Sequence, residues 1–114
     1  MFQVTADMKI RVAHDPVNFR YGIDGISAVV RRDIGNDPMN GHLYVFRNRR
    51  MTMVRFLYYD GQGFYLCTKR LSSGKFPWWP SKDQKQLSAR QFQVLLWAGN
   101  PQRAEFAIDW KKVG

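Results

Sequence analysis

Two turn signals set inside one aromatic-rich stretch constrain this chain most. Residues 41–80 read G-H-L-Y-V-F-R-N-R-R-M-T-M-V-R-F-L-Y-Y-D-G-Q-G-F-Y-L-C-T-K-R-L-S-S-G-K-F-P-W-W-P. Asn48-Arg49-Arg50 and Asp60-Gly61 divide three runs rich in aliphatic and aromatic residues, the composition of strands bounded by turns. Asp-Gly is a strong hairpin signal, and Gly63 allows that loop to shift by one residue or to carry a bulge. The pattern predicts antiparallel strands over 42–47, 51–59 and 64–71. Residues 75–80 contain two prolines, so they are expected as an edge strand or an extended segment rather than a central strand.

Side chains alternate along each strand. On the second, Thr52, Val54, Phe56 and Tyr58 face one way, and Met53, Arg55, Leu57 and Tyr59 the other. On the third, Phe64, Leu66, Thr68 and Arg70 oppose Tyr65, Cys67, Lys69 and Leu71. Neither strand has a purely polar face. The expectation is one face covered by a helix and one left as exposed aromatic surface carrying Arg and Lys, the kind of patch that marks an interface.

Flanking segments supply the helices. Lys9-Ile10-Arg11-Val12 alternates as a short strand does, and His14-Asp15-Pro16 reads as a turn. Asn18 is a candidate N-cap, followed by a stripe of Phe19, Ile23, Ile26, Val30 and Ile34 at helical spacing. Gly22 and Gly25 suggest close packing of this helix on the sheet, and Gly35 supplies its C′ position. Residues 81–86 form a polar, lysine-bearing loop. Ser88 and Gln91 make a capping box, with Leu87 placed to staple onto Phe92. Phe92, Leu95 and Leu96 form the buried side, and Gly99 and Pro101 stop the helix. The expected fold is α+β, a mainly antiparallel sheet of four or five strands with two packed helices. Residues 1–8 are expected as a loose leader, 9–100 as a single domain, and 101–114 as a C-terminal tail in which Phe106, Ile108 and Trp110 alternate.

Charge narrows the function. The chain of 114 residues carries a net +9. Residues 1–40 hold five basic and five acidic side chains, whereas residues 41–93 hold ten basic side chains against Asp60 and Asp83 alone. The positive charge therefore belongs to the sheet and to the residues just after it, and a concentrated positive face attracts polyanions. Arg47, Arg49, Arg50 and Arg55 fall within nine residues without an acid, and arginine forks match phosphate oxygens. Lys69, Arg70 and Lys75 come from the next hairpin arm. Trp78 and Trp79 can stack on bases, or Trp78 can fill the core while Trp79 covers a sheet edge. Tyr59, Phe64 and Tyr65 are the candidate protein-interaction surface. No helix-turn-helix pattern is present, so base-specific reading is not indicated.

Catalytic chemistry finds little support. Asp24, Asp60 and Asp109 are the candidates for a metal-dependent nuclease, but Asp60 is explained by its turn, Asp24 by a helix surface, and Asp109 has only Glu105 as an acidic neighbour. His14 and His42 lack ligand-like spacing. The single cysteine, Cys67, reads as a small buried hydrophobe. The sequence assigns no catalytic residue, no metal ligand and no cofactor. It has neither a signal peptide nor a membrane-spanning run, so a cytoplasmic protein is expected.

Four motifs, in order, carry a family resemblance: P-V-N-F-R-Y-G-I-D-G-I at 16–26, D-P-M-N-G-H-L-Y-V-F-R-N-R-R at 37–50, V-R-F-L-Y-Y-D-G-Q-G-F at 54–64, and K-R-L-S-S-G-K-F-P-W-W-P at 69–80. With the closing L-S-A-R-Q-F-Q-V-L-L-W-A-G at 87–99, they carry a resemblance that extends over roughly residues 9–100. The chain resembles the small accessory transposition proteins called TnpB, or Orf2-like, of insertion-sequence family sixty-six (a name shared with an unrelated RNA-guided nuclease). Asn18 stands where the family often has Asp, and Tyr59 where many members have Trp. The resemblance implies a bacterial mobile-element protein encoded beside a larger transposase, supporting transposition without an established catalytic activity. It assigns no functional residues. The expected partners are DNA, transposase of the same element, and in the alternative a second copy of the chain. That alternative is a protein-interaction module without direct DNA contact.

Overall fold

The computed structural model describes residues 4–102. The fold is α+β: five strands, β1 (Ile10–Val12), β2 (Leu43–Arg47), β3 (Met53–Tyr59), β4 (Phe64–Arg70) and β5 (Gln86–Leu87), with helices α1 (Ile23–Val29) and α2 (Ala89–Leu96). The sheet order is β4–β3–β2–β1–β5. All pairings are antiparallel except β1 with β2, which run parallel with α1 in the crossover between them.

The meander β2–β3–β4 forms where the turn signals put it. Tyr44 pairs with Leu57, and Phe56 with Cys67. Asn48 builds the first turn: its Oδ1 accepts from the amides of Thr52 and Met53, both at 3.0 Å, and its Nδ2 donates to Thr52 Oγ1 at 2.8 Å. Met51 takes a left-handed φ of 59° to complete it. Asp60 organises the second turn, where its Oδ1 accepts from Gln62 and Gly63 amides at 2.9 Å.

The sheet departs from expectation in being covered on both faces. Leu43 and Val45 of β2 join Val54, Phe92, Leu95, Phe76 and Trp78 in one core; Tyr44 and Phe46 join Leu57 and the Ile26, Val29 and Val30 side chains in the other. Four consecutive residues of β2 are buried, the signature of a central strand packed on both sides. The open aromatic face is filled by α2 together with residues 75–80. That segment does not pair as an edge strand. It folds across the face, anchored by the Phe76 amide on the Met51 carbonyl at 2.7 Å, and buries Phe76 and Trp78. The fifth strand joins Gln86, read as loop, to Leu87, read as the staple of α2: β5 is two residues long, too short to show alternation.

The start of α1 also differs. Asn18 caps a turn instead of the helix, its Oδ1 accepting from the Arg20 amide at 2.9 Å. The helix begins at Ile23 behind an extended Gly22 with no side-chain cap. Gly25 is required by close approach, but to Tyr21 and not to the sheet: a Cβ there would lie 2.8 Å from Tyr21 Cβ, while Gly22 has open space. The helix widens into a π turn, Val30–Ile34, and Gly35 terminates it at φ 78°. At α2 the capping box forms as expected, Ser88 Oγ accepting from Gln91 N at 3.0 Å and Gln91 Oε1 from Ser88 N at 2.9 Å. Leu87 and Phe92 meet in the core. The residue that ends α2 in the left-handed region is Ala98, φ 57°, not Gly99. Ala98 N donates to Leu95 O and Gly99 N to Val94 O, both at 2.9 Å, a Schellman pattern with alanine in the glycine position.

At the N-terminus, Val4 and Met8 pack against the core. The alternation of Phe106, Ile108 and Trp110, and the carboxylates of Glu105 and Asp109, lie outside the described residues. Among the described residues no helix is long and apolar enough to cross a membrane.

Candidate nucleic-acid interface

Because β1 and β2 run parallel, both end on the side of the sheet where the β2–β3 turn lies. The same side receives the end of β4, since Arg70 pairs with Met53 and the Leu71 amide donates to Thr52 O at 3.0 Å. Residues 71–76 then pass the β2–β3 turn through the Phe76–Met51 hydrogen bond. This one end of the sheet gathers most of the basic residues singled out by sequence, and divides them into two groups.

Four cations are presented to solvent. Arg49 and Arg50 sit at the tip of the β2–β3 turn, Arg70 at the end of β4, and Lys75 in the following segment; all are exposed. None makes a hydrogen bond or ion pair among the described residues, where the one ion pair is Arg32 with Asp33 at 2.9 Å. Adjacent, unneutralised guanidinium and ammonium groups fit the repeating charge of a phosphate backbone.

The other cations hold the fold together. Arg55 Nη1 donates to the carbonyls of Phe19 and Tyr21 at 3.0 and 2.9 Å, and its Nε to Thr68 Oγ1 at 2.7 Å. Its guanidinium lies 4.5 Å from the Phe19 ring centroid. Arg47 Nε donates to His14 O at 3.0 Å, and its guanidinium sits 5.9 Å from the Trp79 ring centroid. Burial pushes the pKa of Arg47 down, Asp15 pulls it back up, and Arg49 lowers it. Lys69 Nζ donates to Leu96 O at the C-terminus of α2 and lies over the Trp97 ring. A cation there is favoured by the helix dipole.

The aromatic residues divide similarly. Trp78 is only 8% exposed and belongs to the core, out of reach of a base. Trp79 is half-buried, and its indole Nε1 donates to Ala13 O at 3.0 Å, tying residues 77–80 to the end of β1. His14 Nδ1–H reaches Pro80 O at 3.2 Å in the same corner. Tyr59 and Phe64 pack on each other at 4.9 Å beside the second turn, and Phe64 lies against the α1-side core. Tyr65 is 37% exposed and stacks on Tyr58. These three aromatics lie at the opposite end from the free cations. Sequence reasoning missed Trp97, 60% exposed just past α2; a Trp immediately before a helix stop was the available signal.

Among the described residues no three His, Cys, Asp or Glu side chains converge as a metal centre would require. Asp60 is exposed and its pKa is held low by the backbone amides of Gly63 and Gln62. Asp24 occupies the exposed first turn of α1. Cys67 is half-buried, and burial raises its thiol pKa, which disfavours the reactive thiolate.

The family model described as IS66 Orf2 like protein matches residues 8–105. A Sinorhizobium fredii chain described as "Uncharacterized protein y4jC" is 39% identical over 107 residues, covering 93% of this chain and 84% of that relative. A second from the same organism, "Uncharacterized protein y4hO", is 32% identical over 107 residues, covering 92% and 84%. No solved structure matches the chain.

Proposed function

The chain belongs to the IS66 Orf2-like family of insertion-sequence accessory proteins, and on that premise we propose that it supports transposition by binding DNA without itself catalysing strand chemistry. The observation that carries this reading is the set Arg49, Arg50, Arg70 and Lys75. These four exposed cations come from two neighbouring segments at one end of the sheet, with no acidic partner among the described residues. Exposed basic side chains without partners suit contact with a phosphate backbone better than base reading. The proposed working surface is thus one end of the sheet, not its face.

The test is a salt series of electrophoretic or anisotropy measurements on purified protein with single- and double-stranded element-end DNA. Affinity that falls steeply with salt supports the reading. Absence of binding at low salt overturns it.

A second reading is favoured by the exposure of Trp97 beside Lys69, with Tyr65 on the same face of β4. An indole presented next to a helix terminus fits a hot spot for a protein partner, here the transposase of the same element. Co-purification of transposase that survives high salt and is lost on Trp97→Ala supports it; co-purification unaffected by Trp97→Ala removes it.

A further inference from the structure

A cleft of about 310 Å³ opens between the end of β1 and the π turn, and the loop before β5 forms its rim. Its charged lining is Arg11, Lys82 and Lys85, with Asp15 and Asp33. The two carboxylates already have cationic neighbours. Asp33 is paired with Arg32 at 2.9 Å, whereas Asp15 acts on Arg47 only through space, without an ion pair. Among the described residues none of the three basic side chains makes an ion pair, and they outnumber the two carboxylates. Arg11 in addition carries a buried Nε with no hydrogen-bond partner. Its terminal nitrogens are not enclosed and make no hydrogen bond among the described residues, so they are the donors a ligand in the cleft can reach.

We infer that this cleft binds the terminal phosphate of a nucleotide, with Arg11, Lys82 and Lys85 as its cationic partners. Three cations suit a phosphomonoester, which is close to dianionic at neutral pH, better than the single charge of an internal phosphodiester. A volume near 310 Å³ is at the small end of ligand sites and fits one nucleotide unit rather than a duplex. The cleft also adjoins the basic end of the sheet. Its wall includes His14 and Val17, whose backbones are hydrogen-bonded to Arg47: Arg47 Nε donates to His14 O, and Val17 N to Arg47 O, both at 3.0 Å. A strand lying on Arg49 and Arg50 would have its end within the same corner, an extension that rests on the DNA-binding reading. A free mononucleotide satisfies the same chemistry without it.

The experiment compares full-length protein binding to one single-stranded oligonucleotide with a phosphorylated end and with hydroxyl ends, beside an NMR titration with a deoxynucleoside monophosphate. The expected result is roughly tenfold tighter binding of the phosphorylated strand, the scale of one charge-assisted contact. Lys82→Gln/Lys85→Gln, both exposed positions, should abolish that ratio while leaving the hydroxyl-ended strand unchanged. Arg11→Gln should do the same in protein that retains its native spectrum. Mononucleotide shifts confined to the cleft, with no strand bound at all, would uphold the site with a free nucleotide as its source and reject the DNA reading. Equal affinity for both strands together with no mononucleotide shifts at residues 11–17, or a preference that survives the lysine substitutions, overturns the proposal.

Discussion

Arg55 grips Phe19 twice, donating to its carbonyl at 3.0 Å while its guanidinium lies 4.5 Å from the centre of the ring. With the third contact to Tyr21 O at 2.9 Å, one β3 side chain fixes the approach to α1. Arg55→Ala should therefore lower stability by about 2–3 kcal/mol, since two carbonyls lose a charged donor. Arg55→Lys should recover only part, because an ammonium cannot reproduce the planar fork. Urea denaturation of the three proteins checks this.

Arg49 and Arg50 should behave in the opposite way. Replacing both by Ala leaves stability within about 0.5 kcal/mol, as expected for exposed positions. If they contact duplex phosphates, the slope of log affinity against log salt falls by about two. Paired denaturation and salt titrations separate the two effects.

Ala98 occupies the left-handed position that ends α2. An L side chain there carries strain that glycine lacks, partly offset by the greater unfolded-state entropy of glycine. Ala98→Gly should raise stability by about 0.5–1 kcal/mol, visible as a higher thermal midpoint.

His42 makes stability depend on pH. Its folded pKa is lowered from 6.5, chiefly by burial and then by Lys9 and Arg11, so the unfolded chain binds its proton more readily. The fold should hold its full stability above about pH 6.5 and lose part of it as pH falls from there through the lower folded pKa. His42→Gln should flatten that part of the profile in urea titrations between pH 7.5 and 5.

The features legible in sequence are those with local causes. The Asn48 and Asp60 turns, the strands between them and the Ser88–Gln91 box each rest on side chains within a few residues of the backbone they serve. The start of α1 escapes such a reading because Asn18 offers the same carboxamide to a turn as to a helix. The double coverage of the sheet depends on residues 75–80 folding back over β2 and β3, which alternation cannot reveal. The basic cluster is legible as composition, but its division is not. Arg55 and Lys69 meet distant carbonyls, those of Phe19, Tyr21 and Leu96, whereas Arg49 and Arg50 meet none among the described residues.

The pairing scheme also implies an order of assembly. The meander from β2 to β4 joins neighbours in sequence, whereas Ile10 must find both Leu43 and Leu87. During synthesis the first strand is made early but acquires its outer partner only once residue 87 has emerged. Until then one edge of the sheet stays unzipped, and the last few residues before α2 act as its clasp.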